Sequence, residues 1–317
     1  MEDGSNSREI LLEIQGEAVK PDEALRPSID VSEPGPHDPL MKWAERNIGE
    51  DRNTKLELIE ELRSMIFERG ECVPDRTDDV FLLRFLRARH FIVRMAHRLI
   101  VNYHAFREEN PNYFGNVDFK TMLDIAEAEI FSVPPYVNED GRRMLFFRIG
   151  KWNTSRFTTE ALFQAVIFLI QTAILEPKHQ ILGGVCVMDV GDLGANHAWY
   201  LSPSIVKHML AVAYSSIPHR IEAVHIINVS KIFDCAFGML KPFLSDYVKA
   251  KIVIHPDLES LHKHVSPKYL PERYGGIHKD YRFDEWIAVL NENEGLLDEM
   301  GACGYEGGRE FLKNLRL

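Results

Sequence analysis

The sequence predicts an α/β protein in which an all-helical unit precedes a mixed, largely parallel sheet flanked by helices. Three observations carry this. Between Lys55 and Glu109 apolar residues recur at helical spacing. Beyond about Asn116 short β-type runs alternate with helical stretches, the pattern of parallel strands joined by crossover helices. The run Gly184 to Val190, GVCVMDV, is continuously apolar, as in a strand buried on both faces.

Taken in order, Met1 to about Asp38 is rich in Asp, Glu, Ser, Pro and Gly and reads as a mostly disordered tail, with a short helix near Arg8 to Ile14. Lys55 to Glu68 carries Leu56, Ile59, Leu62 and Ile66 on one stripe and stops at Gly70. Asp78 is placed to cap a helix whose Phe81, Leu82, Phe85 and Leu86 share a side, leaving Arg84, Arg87 and Arg89 to other faces. Val93 to Glu109 is a further helix, ending before Pro111. Ile130–Tyr136 and Met144–Ile149 flank Asn138-Glu139-Asp140-Gly141, a hairpin signal. A long helix is expected from Thr159 to Leu175, and Ser202-Pro203 opens another that runs to about Ser215. Ala223 to Asn228 and Lys251 to His255 are the remaining strands. Glu259 to His264 is a short helix, Leu270 to Ile277 a turn-rich close, and Asp284 to Leu290 one helical stretch in the tail.

Composition bounds the function. A net charge of −11 argues against general nucleic-acid binding, which needs a basic surface to displace counterions. The amino terminus has no basic segment followed by an apolar run, so no secretory signal is expected. The longest apolar stretch, Ala161 to Leu175, is short for a bilayer and broken by Gln164 and Gln171. Cys72, Cys186, Cys235 and Cys303 are scattered, without metal spacing, and read as reduced thiols of a cytosolic protein.

Motifs of common chemistry are missing: there is no P-loop, no dinucleotide fingerprint, no nucleophile elbow and no HExxH. Gly183-Gly184 and Gly275-Gly276 read as turns. His255, His262 and His264 lie close in sequence but lack the ligand spacing of a metal site. Asp189 and Asp192 follow a strand, where a catalytic carboxylate is conceivable and a structural role is the plainer reading. Cys186 reads as a small core residue. No catalytic residue, metal or cofactor is therefore assigned.

The segment Val229 to Lys251, VSKIFDCAFGMLKPFLSDYVKAK, is the most informative. Ile232, Phe233, Ala236, Phe237, Met239, Leu240, Phe243 and Leu244 fall on one broad helical face, and Pro242 should kink the helix. Such a helix either belongs to an ordinary core or covers an apolar cavity and swings its face to a membrane. Val166 and Ile170 lie one turn apart on the long helix; Gly184, Cys186 and Met188 alternate on a strand; Met209, Val212, Ile217 and Val224 continue an apolar wall. These side chains either pack on one another or line a cavity.

The segments FLLRFLRARHF (Phe81 to Phe91), GVCVMDVGDL, IEAVHIINVSKIF and LKPFLSDYVKAKIVIH, in that order, resemble the CRAL-TRIO family, in the branch of the α-tocopherol transfer, cellular retinaldehyde-binding and clavesin proteins. The resemblance covers about Lys55 to Asp280. It implies a helical unit over 41–115 and a lipid-binding α/β domain over 116–282; composition leaves a largely disordered acidic tail over 1–40 and a C-terminal tail over 283–317. It also implies a mobile gate helix over an apolar cavity, which places Phe233, Ala236, Phe237, Leu240 and Leu244 at the ligand. The family's phosphoinositide cleft is matched by Arg220, Lys241 and Lys251, with Lys249 nearby. Glu222 and Tyr247 stand where the tocopherol protein carries an arginine and a lysine, which bears on headgroup selectivity. For Arg84, Arg87 and Arg89 the resemblance implies ties between helical unit and lipid domain.

The expected function is non-enzymatic: a cytoplasmic carrier, reversibly peripheral at membranes, holding a retinoid-, tocopherol- or carotenoid-like molecule and docking with help from phosphoinositides. The alternatives are a clavesin-like trafficking adaptor and, with less support, a lipid-modifying enzyme.

Overall fold

A computed structural model describes residues 10–11, 27–114, 118–198, 200, 202–281, 286, 289–290 and 294–302. Its elements are α1 (Pro39–Ile48), α2 (Lys55–Arg69), α3 (Asp79–Ala88), α4 (Val93–Glu109), α5 (Pro111–Phe114), α6 (Phe119–Glu127), β1 (Phe131–Ser132), β2 (Met144–Arg148), α7 (Thr159–Ala173), α8 (Pro177–Leu182) and β3 (Gly184–Asp189). They continue with α9 (Ala195–Ala198), α10 (Pro203–Leu210), β4 (Ile221–Ile227), α11 (Lys231–Leu240), α12 (Asp246–Ala250), β5 (Ile252–Ile254), α13 (Leu258–His262) and α14 (Glu294–Ala302).

The sheet runs in sequence order, β1-β2-β3-β4-β5. β1 is antiparallel to β2, and every later neighbour is parallel. This is the mixed, largely parallel sheet expected from the alternating elements. The hairpin signal sits where it was placed: Gly141, at φ 73°, donates its N–H to Asn138 O, and the Asn138 Oδ1 accepts from Asp140 N and Arg142 N.

Local capping explains the helix starts. Asp78, Thr158, Ser202 and Ser230 each accept a backbone N–H three residues on. On α2, Ile59, Leu62 and Ile66 are buried as expected, but Leu56 lies on the outer face and is exposed. The helix after Ser202 is regular only to Leu210; Ala211–Ser215 widens into a π turn.

Both tails are larger parts of the fold than composition implied. Residues 27–38, expected to be disordered, run along the body: Asp30 N donates to Glu176 Oε1, and Glu33 binds Arg87. The expected helix at 8–14 is described only at Ile10 and Leu11, which are helical. Toward the other end, Leu290, Leu296 and Met300 join a core with Phe131, Trp152 and Phe168. Of the stretch expected to be helical from Asp284 to Leu290, only Trp286, Val289 and Leu290 lie within the described residues, and all three are helical.

The helical unit is locked to the rest of the chain through two arginines of α3 and Arg89 at its C-terminal cap. Arg87 is fully buried. Its guanidinium donates to both carboxylate oxygens of Glu50 at 2.9 and 2.8 Å, to Glu33 at 3.0 and 2.7 Å, and to Gln180 Oε1 on α8 at 2.8 Å. Burial alone would raise the Glu50 carboxyl. Hydrogen bonds and charge from Arg87, then from Lys55, instead hold it below the ordinary carboxylate value. Arg84 pairs with Glu299 of α14 at 3.1 Å, and Arg89 donates to Tyr214 O. All three arginines therefore bridge elements far apart in sequence.

Arg87→Met should destabilise the protein by about 3–5 kcal/mol, because it strands the buried Glu50 carboxylate. Adding Glu50→Gln should recover part of that loss. Urea unfolding of the single and double variants measures both.

Candidate functional site

One cavity of about 420 Å³ lies between the sheet and the helices on one of its faces. Its floor follows from strand alternation. Leu145 and Phe147 of β2, Cys186 and Met188 of β3 and Val224 of β4 line it. Their neighbours Phe146 and Val187 pack on the opposite face with Leu261, Leu270 and Tyr274. Its walls are α7, through Leu162, Val166, Leu169 and Ile170, and the α10 region, through Ile205, Met209, Val212 and Ala213. Phe233, Ala236, Phe237 and Leu240 of α11, with Leu244 beyond it, form the cover.

The expected cavity residues thus converge, with one exception. Ile217 is fully buried and does not line the space; it belongs to a packed cluster with Phe106, Ile167 and Ile174. Gly184 does line it, and its missing side chain serves packing: a Cβ there would lie 2.9 Å from His179 Cε1. The lining is almost wholly apolar.

The covering segment differs from the single kinked helix that its periodicity predicts. α11 ends at Leu240; Lys241–Phe243 forms one tight turn, Leu244 is extended, and Ser245 caps the separate α12. Pro242 has no N–H to continue the ladder, and the Ser245 Oγ satisfies the next helix start. The broad face is therefore split. Phe233, Ala236, Phe237, Leu240 and Leu244 face the cavity, while Ile232, Met239 and Phe243 are 38%, 56% and 59% exposed.

The basic residues are less concentrated than expected. Arg220 is half-buried, donates to Ile181 O and lies over the Trp43 ring at 5.9 Å. Burial, foremost, depresses its pKa. Lys251 pairs with Glu222 at 3.3 Å, and the same carboxylate takes Arg142 at 3.4 Å. Lys249 pairs with Asp246 on its own helix at 3.3 Å, and Lys241 is exposed beside the break. Glu222 thus occupies part of the positive surface that the arginine and lysines would make.

Other candidates resolve into structure. Asp189 Oδ1 accepts from Gly191 N and Asn228 Nδ2 at 2.9 and 2.8 Å, and Oδ2 accepts from Tyr274 OH at 3.0 Å, a tie that anchors the C-terminal turn. His262 bonds Tyr274 O, while His225, His255 and His264 cluster on the other sheet face. Among the described residues no group of three His, Cys, Asp or Glu is arranged to hold a metal. No helix among them is long and apolar enough to cross a membrane.

Sequence reasoning missed several lining residues. Leu145 and Phe147 were available from the alternation of MLFFR. Ile29, Trp286 and Leu290 come from the tails, and nothing local marks them. It also missed the polar margin, His179, His197 and His219. Burial first, then the charges of Arg143 and Arg220, push the His179 imidazole down to about 4. Burial, then nearby His179, does the same for His219, and burial with His255 and His264 for His225.

These neutral histidines set an acid limit. The folded pKa values, about 4, lie below the ordinary 6.5, so the unfolded chain takes up protons that the fold refuses. Their contribution is fully present above about pH 6.5 and is lost as pH falls toward 4. Urea midpoints should drop steadily from pH 7 to pH 5, and His225→Gln should make that drop shallower. Burial also pushes the Cys186 thiol up to about 12, whereas Cys235 is exposed on α11. Peptide mapping after brief iodoacetamide treatment should find Cys235 alkylated and Cys186 intact.

Comparison with known proteins places this geometry. Residues 128–276 match the CRAL/TRIO domain, and residues 49–102 match the CRAL/TRIO N-terminal domain. The chain is 31% identical over 256 residues to mouse (Mus musculus) alpha-tocopherol transfer protein-like, covering 80% of this chain and 75% of that protein. It is 33% identical over 237 residues to rat (Rattus norvegicus) clavesin-1, covering 73% and 66%. The crystal structure of Sfh5 matches at 15% identity with a TM-score of 0.42, covering 71% of this chain and 88% of that one. With both domain models matched in the expected order and these relatives aligned over most of their length, the chain belongs to the CRAL-TRIO family.

Proposed function

We propose that the protein carries a lipophilic small molecule in the cavity and exchanges it at membrane surfaces, with α11 as the movable cover. The observation that carries this reading is the cavity itself, about 420 Å³ with an almost wholly apolar lining beneath a helix. Apolar ligand surface removed from water contributes about 25 cal/mol per Å². The relatives named for alpha-tocopherol transfer support a tocopherol-like ligand within the retinoid-, tocopherol- or carotenoid-like class.

The two faces of α11 suit the task. Its inner side chains seal the cavity, and its outer Ile232 and Met239, with Phe243 in the turn beyond, offer apolar surface to a bilayer interface. The break at Lys241–Ser245 supplies a hinge. Arg220, Lys241, Lys249 and Lys251 assist docking at phosphoinositide-containing membranes, each cation worth about 1 kcal/mol near an anionic surface. The protein works in the cytoplasm, peripheral and reversible at membranes, and without catalysis. The similarity to clavesin-1 supports a second reading, a trafficking adaptor in which headgroup binding is the output.

Transfer of a fluorescent tocopherol analogue from phosphatidylcholine vesicles to acceptors containing phosphatidylinositol bisphosphate tests the first reading. Phe233→Asp should slow transfer at least about tenfold, since a carboxylate cannot be buried at the seal without several kcal/mol of cost. Unchanged transfer would remove α11 from the role of cover. Filling the cavity with Cys186→Phe and Val166→Trp should abolish uptake. Vesicle binding that persists in a filled protein that never took up the analogue favours the adaptor.

A further inference from the structure

The cavity is closed at opposite sides of the sheet by different parts of the chain. Toward β4 and β5 the closure is α11: Phe233 shares a cluster with Val190 and Ile226, against which Phe237, Val224 and Ile252 pack. Toward β1 and β2 the closure comes from two segments remote in sequence. Ile29 and Leu290 belong to a cluster with Phe131 of β1 and with Leu145 and Phe147 of β2. Trp286 donates its Nε1–H to Val133 O, just past β1, at 2.7 Å. Ile29, Trp286 and Leu290 all line the cavity. None of the three lies within residues 49–102 or 128–276, the stretches that match the two family domains. The matched domains therefore leave this end of the space to be finished by sequence outside them.

Both segments are fastened to one ion pair. Arg143 donates to both oxygens of Glu176 at 2.9 and 2.7 Å. Its Nη2 also donates to Ser28 O at 2.6 Å, and Glu176 Oε1 accepts from Asp30 N at 3.2 Å. The pair thus grips the backbone on either side of Ile29. The same guanidinium lies 5.2 Å from the centroid of the Trp286 ring, within range of a cation–π contact. Ile29 and Trp286 are held in place by this clasp as well as by packing.

We infer that Ile29 and Trp286 form the end wall of the cavity and set the longest apolar chain that the protein accepts. The inference rests on the carrier reading above and adds a length limit to it. Each methylene that enters the space before the wall adds apolar burial, about fourfold in affinity. The next one must displace a clasped backbone or an indole whose N–H is already bonded, and a close-packed wall resists such overfilling, so the gain stops. The wall suits a chain terminus, because its isoleucine is apolar and its indole has no N–H left to satisfy.

The test is a series of straight-chain alcohols, from octan-1-ol to octadecan-1-ol, each displacing Nile red from the full-length protein. Affinity should rise with chain length to a cut-off and then level or fall. Ile29→Ala should move the cut-off to chains longer by about two methylenes, and Ile29→Phe should move it to shorter chains. Trp286→Leu should move it longer as well. Alcohols well short of the cut-off should bind each variant within about threefold of the unaltered protein. A cut-off that stays put in all three variants while short alcohols still bind overturns the inference and leaves the carrier reading standing. So does an equal weakening at every length in both Ile29 variants, which would make this residue a support of the fold, or an affinity that climbs without a cut-off in the unaltered protein. If no alcohol displaces the dye from the unaltered protein, the carrier reading fails, and this inference with it.

Discussion

The fold depends on one buried guanidinium. Arg87 leaves an amphipathic helix of the N-terminal unit and ends between Glu50, Glu33 and Gln180, drawn from three other parts of the chain. In water such a group would be well hydrated; here every contact must be replaced in place. The replacement needs α1's end, the 27–38 segment and α8 in register at once. Because α8 runs through Gly183 directly into β3, the same contacts set where the sheet begins relative to the helices. Ile181 and Leu182 of α8 belong to the core of the helical unit, so the two units share one apolar interior there.

Around this junction the protein keeps space open, which close packing ordinarily forbids. Small or unbranched residues at Gly184, Cys186 and Met188 lower the floor, and aromatic residues Phe147, Trp152 and Phe233 line the space around them. The cover is stitched at its start by the Ser230 cap and weakened at its end by Pro242. The neutral histidines and the Glu222 ion pairs mark where polarity had to be accommodated beside an apolar void.

Much of this was legible in the chain. The caps at Asp78 and Ser202 are short-range hydrogen bonds, so they were read from a few consecutive residues. The mixed, largely parallel character of the sheet followed from alternating elements and connection rules, and most cavity positions followed from helical and strand periodicity joined to a family resemblance. Ile217 was misplaced because apolar character marks a residue for burial, not whether it borders a void or a packed neighbour. Leu56 was misplaced because a stripe shows which residues align, not where a neighbouring helix stops.

The sequence by itself determined the elements, their order and the apolar character of the covering segment, because these depend on neighbours within a turn or two. Tertiary structure alone decided the rest. Ile29, Trp286 and Leu290 reach the cavity from the two ends of the chain, Glu222 meets both Lys251 and Arg142, and the His179 Nδ1 is buried without a hydrogen-bond partner. Each of these is a relation between residues distant in sequence. Burial and electrostatics act through space, so their outcome is set only when the chain has closed on itself.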